Sequence, residues 1–326
     1  MIRTIRFLDL PTVDPVHNLA LERALFERLP EDELVLLLWQ NDHTVVIGRN
    51  QNIRQEVDLP ECEKHHVRPV RRCSGGGAVY HDLGNLNFTF MAASSDYHQD
   101  LYARLIARAL RSFNLEAEIS GRNDLTVEGR KFSGCAFYHT PDASFMHGTL
   151  LVNTDLEVMT ACLHPDPAKL KARGVASVRS RVVNLQELCP RINVNSLKEA
   201  LKRTVSAHYG LPLTERPLDE ETIQLCAKLE EKYGSPEWIY GSERPYTHLW
   251  QQRFSWGSIN LNLDVQNDTI TQLQIHSDSL QPEMIQELQS LLTNCPFTKE
   301  EIIKRLNSLN RPEKDDLISL TLEQEM

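Results

Sequence analysis

The stretch of this chain richest in chemical possibility is Arg71-Arg72-Cys73-Ser74-Gly75-Gly76-Gly77-Ala78-Val79-Tyr80-His81-Asp82. Three consecutive glycines remove every Cβ, so backbone N–H groups can come close to an anion and φ can turn positive, and two arginines precede them. That pattern suits a cradle for a phosphate or a carboxylate. A flexible turn is the competing reading. The spacing is neither G-x-x-x-x-G-K-[ST] nor G-x-G-x-x-G, so P-loop and dinucleotide-binding folds are not supported.

Four more segments carry groups that could act beside such an anion. Gly121-Arg122-Asn123-Asp124 sits at a turn before a strand, where Asp124 could hold Mg²⁺ against a triphosphate or simply close an Asx-turn. Arg130-Lys131-Phe132-Ser133-Gly134 puts a lysine on a strand among small neighbours. Such a lysine neutralises an acyl phosphate if it points into a cleft, or deters aggregation if it lies on an edge strand. His147-Gly148 stands at the start of a strand, and a lone histidine is usually structural. Lys169, Lys171, Arg173, Arg179 and Arg181 surround Gly174 in a segment able to fold over an anion or to remain a surface loop.

Mixed α and β elements must position these groups. Asp14-Pro15 reads as an N-cap with proline at the first helical position, and Val16, Leu19, Ala20, Ala24 and Leu25 keep helical spacing to about Leu29. Residues 34–39 and 44–47 read as strands around an Asn41-Asp42 turn, and 67–71 as a further strand. Leu86, Phe88 and Phe90 alternate with Asn87 and Thr89, which predicts a strand with one buried and one polar face. A helix over about 101–113 precedes strands at 116–119, 125–127, 131–137 and 149–153, and helices fill much of 194–209 and 219–233. No internal repeat is visible. Gly234-Ser235-Pro236 and Gly241 to Pro245 punctuate the chain before a fresh β signal, placing a boundary near residue 248. Beyond it, 254–265 and 269–275 flank Asn267-Asp268 as a hairpin, and Thr298 with Glu301 forms a capping box.

Composition narrows the classes. The 326 residues suit one large and one small domain, and 41% hydrophobic with 25% charged residues is an ordinary globular balance. A net charge of −10 gives no basic field for nucleic acid. Seven scattered cysteines without a C-x-x-C pair read as reduced thiols, and the longest apolar run, Leu34 to Trp39, cannot span a bilayer, so a cytoplasmic protein is expected.

The order of the segments is more specific than any one of them. Asp14-Pro15 with Asn18, Leu19, Ala20 and Glu22, then Val45 to Asn52, Arg-Arg-x-Ser-Gly-Gly-Gly, Gly-Arg-Asn-Asp-Leu, Lys-x-Ser-Gly, His-Gly-Thr-Leu-Leu and Ser-Val-Arg-Ser-Arg-Val together resemble bacterial lipoate-protein ligases of the A type, over the whole chain. The resemblance implies an α+β fold. Its large catalytic domain, 1–248, would be of the biotin/lipoate-protein ligase type with mixed sheets and packed helices, and a small α+β accessory domain, 249–326, would follow. It implies activation of lipoate by ATP to lipoyl-AMP, with pyrophosphate release, and transfer to one lysine of an acceptor.

Residue by residue, the resemblance makes Lys131 catalytic and assigns ATP to Arg72, Gly77, Ala78, Val79, Tyr80, Asp124 and Lys131. Lipoate falls to Lys131, Trp39, Gly76 and His147, in a site mostly apolar with few polar anchors. Ser177, Val178, Arg179 and Arg181 would form a lid over the adenylate, and Asp124 would be the Mg²⁺ ligand. Expected partners are lipoic acid, the lipoyl domains of 2-oxoacid dehydrogenase E2 subunits and the glycine cleavage H protein, with neither nucleic acid nor membrane. Cys73 and Cys135 depart from residues common in relatives at these positions. Cys135 thereby opens a rival, an octanoyl- or lipoyl-transferase forming a cysteine thioester without ATP, against which the lack of a clear basic partner for the thiol counts. A catalytically silent module that binds lipoyl domains is a third reading, opposed by the intact glycine cradle and Lys131.

Overall fold

A computed structural model describes residues 1–163, 181–241 and 246–324. Two compact units emerge. The first takes in 1–47, 53–73 and 78–239; the second takes in 48–52, 74–77 and 240–326.

In the first unit the strands are β1 (Thr4–Asp9), β2 (Glu33–Trp39), β3 (Thr44–Ile47), β4 (Arg68–Arg71), β5 (Val79–His81), β6 (Asn85–Ala93), β7 (Ala117–Ser120), β8 (Asp124–Val127), β9 (Arg130–His139), β10 (Ala143–Leu151) and β11 (Leu213–Thr214). Eight of them form one mixed sheet in the order β11-β1-β2-β6-β10-β9-β8-β7, and β4-β3-β5 form a second. The helices are α1 (Pro15–Glu27), α2 (Ile53–Glu56), α3 (Leu59–Lys64), α4 (Gln99–Leu110), α5 (Leu156–Cys162), α6 (Leu185–Leu188), α7 (Val194–Tyr209), α8 (Glu220–Tyr233) and α9 (Pro236–Tyr240).

Asp14 caps α1 as its sequence predicts: one carboxylate oxygen accepts from the N–H groups of Val16 and His17 at 2.8 and 3.1 Å. Val16, Leu19, Ala20 and Ala24 then bury against Val35 and Leu37 of β2, Met91 of β6 and Phe145 of β10, with α8 packed alongside. On the opposite sheet face Tyr102 of α4 stacks on Phe90 at 4.7 Å. Helices on both faces explain one departure from the sequence reading. Alternation predicts a polar outer face for β6, yet all nine of its residues are buried, because α1 covers the side carrying Asn87 and Thr89. A second departure concerns His147, expected at a strand start. β10 begins at Ala143, so His147 sits mid-strand between Thr89 of β6 and Ala136 of β9.

The second unit has an antiparallel sheet, β12 (His248–Phe254), β13 (Gly257–Gln266) and β14 (Thr269–Ser277), with α10 (Pro282–Leu292), α11 (Lys299–Leu306) and α12 (Lys314–Leu322). Its core gathers Trp250, Leu261, Leu263, Ile275, Met284 and Leu288. Asn267 and Asp268 both have positive φ, 49° and 55°, as the two-residue hairpin turn requires. Thr298 caps α11 by accepting from the Glu301 N–H at 3.3 Å. The strand read over 254–265 is broken at Ser255-Trp256, where the chain reverses. The apolar period slips there, from Phe254 and Trp256 to Ile259, Leu261, Leu263 and Val265, and that slip marks the turn.

Phe145 is fully buried between the rings of Phe26 at 5.2 Å and Tyr138 at 5.4 Å. Phe145→Ala should therefore destabilise the first unit by about 3–5 kcal/mol, the usual cost of emptying an aromatic core site. Urea denaturation followed by tryptophan fluorescence measures it; a loss below about 1 kcal/mol would mean that α1 does not close on this sheet face as described.

Candidate active site

Lys131 lies on β9, between β10 and β8 and away from either edge of the large sheet, so the aggregation-guard reading fails. A register shift between Leu125 and Thr126 interrupts the β8–β9 pairing beside it. The ammonium meets Asp124 Oδ1 at 2.7 Å; the carboxylate side chain is 8% exposed and the lysine 29%. Glycine at 134 makes the room, since a Cβ there would stand 2.7 Å from Lys131 Nζ. Gly148, facing Cys135 across β9–β10, is equally constrained: its Cβ would meet Phe88 Cζ at 2.7 Å and the Gly134 carbonyl oxygen at 2.8 Å. The Lys131 carbonyl accepts from the Val183 N–H at 2.9 Å, which holds the strand from its other side.

A second cluster is built on the α1-facing side of the sheet. Along β2, β6 and β10 that face runs from apolar Val35, Met91 and Phe145 to Trp39, Asn87, Thr89 and His147. Glu22 of α1 points at the polar end, 1% exposed. Its Oε1 accepts from Thr89 Oγ1 at 2.5 Å and from His147 Nδ1 at 2.9 Å, while Oε2 lies 3.1 Å from the same nitrogen. An acceptor-only carboxylate requires the proton on His147 Nδ1. Trp39 Nε1 donates to Thr89 Oγ1 at 3.2 Å.

Next to it, Asn18 donates to the carbonyls of Thr12 and Gln40 and to Asn41 Oδ1, which turns the Asn41 amide nitrogen toward His81 Nδ1 at 3.1 Å. His81 is thereby the Nε2–H tautomer, and Nε2 has no hydrogen-bond partner among the described residues. Burial, with Arg72 and His147 nearby, pushes the His81 pKa down to about 3.

The residues expected around ATP divide between the two units. In the first, Arg72 is buried with Nη1 donating to the Val46 carbonyl at 3.0 Å, and burial pulls its pKa down to about 10 against the pull of Cys73 and Glu22. Ala78 precedes β5, where Val79 and Tyr80 pair with Val46 and Val45. Gly76 and Gly77 belong to the second unit. There the Gly76 N–H donates to the Ser279 carbonyl at 2.9 Å with φ at 87°, and a Cβ on Gly75 would stand 2.3 Å from that oxygen. Close backbone approach is therefore what these glycines serve in the second unit, and the Gly76 N–H already has a partner. Ser177, Val178 and Arg179 lie outside the described residues, as do Lys169, Lys171, Arg173 and Gly174. Arg181 is described, just before Val182, which bridges in parallel to Lys131.

Cys135 is buried on β9, and desolvation pushes its thiol up to about 12 against the opposing pull of Ser133 and Lys131. At neutral pH it is a thiol and a poor nucleophile.

The fold is that of an α+β enzyme with the lipoyl protein ligase A/B catalytic domain, whose sequence profile matches residues 14–206; the bacterial lipoate protein ligase C-terminus matches residues 244–323. The chain belongs to the lipoate-protein ligase family. It is similar to P. falciparum LipL1, solved in complex with lipoate, with 28% identity and a TM-score of 0.87 over 98% of this chain and 99% of that one. Lipoate-protein ligase A bound with ATP is 28% identical, with a TM-score of 0.65 over 74% of this chain and 99% of that one. The bi-partite lipoate protein ligase of Thermoplasma acidophilum, described with its E2 lipoyl domain, is 28% identical, with a TM-score of 0.65 over 76% and 100%. Among the described residues no helix is long and apolar enough to cross a membrane.

Sequence reasoning did not single out Thr89, Asn87 or Asn41 as site residues, and it used Asn18 and Glu22 only as family markers. A signal was present in Asn18 and Glu22, four apart inside an otherwise apolar helical stripe, since both must find buried partners. Apart from the Thr12 carbonyl, six residues before Asn18, their partners lie 22 to 125 residues away in sequence, beyond any local pattern.

The depressed His81 pKa has a definite pH consequence. The unfolded chain takes up a proton near the ordinary 6.5 that the folded chain refuses until about 3. Stability from neutral His81 is thus complete above about pH 6.5 and lost as pH falls. In His81→Gln, urea midpoints measured from pH 7 to 5 should fall less steeply than in the wild type. Equal slopes would place His81 in contact with water.

Proposed function

We propose that the protein is an ATP-dependent lipoate-protein ligase. It would activate lipoate as lipoyl-AMP and pass the lipoyl group to a lysine on lipoyl domains of 2-oxoacid dehydrogenase E2 subunits and the glycine cleavage H protein. The observation that carries this reading is the Lys131 ammonium, fixed by buried Asp124 in the space left by Gly134.

In the first step a lipoate carboxylate oxygen bonds to the α-phosphorus of ATP, the bond to the β-phosphate breaks and pyrophosphate leaves. Two anions must approach, so preorganised positive charge is the main requirement. Lys131 supplies it beside the reacting oxygens, and Arg72 adds a buried guanidinium near Glu22. Asp124 offers a single buried carboxylate, a donor set that suits Mg²⁺, which keeps several waters and takes one or two carboxylates alongside phosphate oxygens. The ion would neutralise triphosphate charge there. In the second step a neutral acceptor amine attacks the acyl carbon, the amide forms, a proton is lost and AMP departs. Lys131, ion-paired with Asp124, stabilises the oxyanion and does not act as base. Trp39 and His147, locked together through Thr89 and Glu22, would wall the dithiolane tail, with Gly76 assigned to the lipoate path and Ser177, Val178, Arg179 and Arg181 as a lid. The raised Cys135 thiol argues against a thioester route.

Lys131→Ala should lose about 3 kcal/mol or more of transition-state stabilisation, over a hundredfold in lipoylation of an acceptor domain. Cys135→Ser should keep most of the activity, and wild-type lipoylation should require ATP. Full activity in a folded Lys131→Ala protein would remove the assignment; an inactive Cys135→Ser together with a thioester acyl-enzyme in the intact mass would establish the transferase instead.

The same reading gives 1–248 the catalysis and 249–326 an accessory part in adenylation. Truncation after residue 248 should then abolish lipoate-dependent pyrophosphate exchange while transfer from supplied lipoyl-AMP persists. Equal loss of both steps in a soluble truncation would make the C-terminal segment a structural brace.

A further inference from the structure

Away from Lys131 and the Glu22 network, α1 and α8 pack side by side and bring three metal-binding side chains together. His17 comes from α1. Cys226 and Glu230, one helical turn apart, come from the facing side of α8. His17 Nδ1 lies 2.5 Å from Glu230 Oε1, and Cys226 Sγ donates to the same oxygen at 3.4 Å. All three donor atoms fall within 4.8 Å of one another. We propose that His17, Cys226 and Glu230 form a binding site for one thiophilic divalent transition-metal ion, zinc in the first instance.

The donor chemistry favours that class of ion. One imidazole nitrogen, one thiolate sulfur and one carboxylate oxygen make the mixed N, S, O set taken by zinc and by cobalt(II) as its probe, whereas magnesium and calcium prefer oxygen alone. Charge balances as well: a thiolate and a carboxylate cancel the two positive charges, which matters because Cys226 is only 4% exposed. The other side is open, with the His17 and Glu230 side chains 40% and 38% exposed, so water can complete a tetrahedron. Ligand atoms on zinc stand about 3.3 Å apart at bonds near 2.0–2.1 Å. The His17–Glu230 pair would therefore open by roughly 1 Å, a rotamer adjustment available to two half-exposed side chains.

Binding is a proton exchange. Burial and the neighbouring Glu230 carboxylate push the Cys226 thiol up to about 12, so it enters as S–H. The metal–sulfur bond forms as the S–H bond breaks, and one proton leaves to solvent for each ion bound. His17 ligates through Nδ1, its proton residing on Nε2. Because the three ligands join two helices, occupancy ties α8 to α1, the helix whose inner side carries Asn18 and Glu22.

The test is titration of the reduced full-length protein with cobalt(II) alone, followed by near-ultraviolet absorbance. The wild type should develop a thiolate-to-cobalt charge-transfer band that saturates at one ion per chain and is bleached by zinc. Cys226→Ser should lose the band. His17→Gln, a change at a half-exposed position that keeps the thiol, should keep the band but bind cobalt about tenfold or more weakly. Far-ultraviolet circular dichroism without metal checks that both variants are folded, and His17→Gln decides alone if the serine variant is not. A wild type without a stoichiometric band, a band that survives in folded Cys226→Ser, or unchanged affinity in His17→Gln would each overturn the site.

Discussion

A carboxylate sealed in the core dictates much of the first unit. Glu22 would cost several kcal/mol to bury without partners. The fold meets this demand with Thr89 at 2.5 Å and His147 at 2.9 Å. These partners come from adjacent strands of the large sheet, so the pairing of β6 with β10 and the seating of α1 must agree to within a fraction of an ångström. Register slips are thereby penalised twice, once by apolar burial and again by an orphaned charge. Trp39 inherits its orientation from Thr89 through its indole N–H.

A different constraint governs the lysine. An ammonium on an interior strand needs space and a counter-charge, and the backbone provides both. Glycine at 134 leaves the volume, and the interrupted β8–β9 register sets Asp124 against Lys131 rather than against its ladder partner Gly134. The cost of holding the cation is met within β8 and β9 themselves.

Burial also sorts the reactive side chains. All seven cysteines are buried, and Cys135, one residue from Gly134, is held as a thiol by desolvation despite the nearby ammonium. His81, the neutral tautomer in an amide cage, is denied its proton by the same effect.

The sequence by itself determined the local and the ordered features. Asp14-Pro15 opens α1, Asn267-Asp268 turns the hairpin, Thr298 caps a helix, and the succession of glycine, aspartate, lysine and histidine motifs identifies the family; each depends on neighbouring residues or on order along the chain. Tertiary structure alone decided which polar residues act together. The Asn87/Thr89 side of β6 reads as solvent-facing because alternation reports period and not what covers a face, and α1, some 60 residues earlier, covers it. His147 moved to mid-strand because β10 extends as far as its partners β6 and β9 do. Lys131 became an interior residue, and His17 met Cys226 and Glu230, only when the sheet order and the α1–α8 packing were set. Those are long-range contacts, fixed by shared burial between distant segments, and no window along the chain contains them.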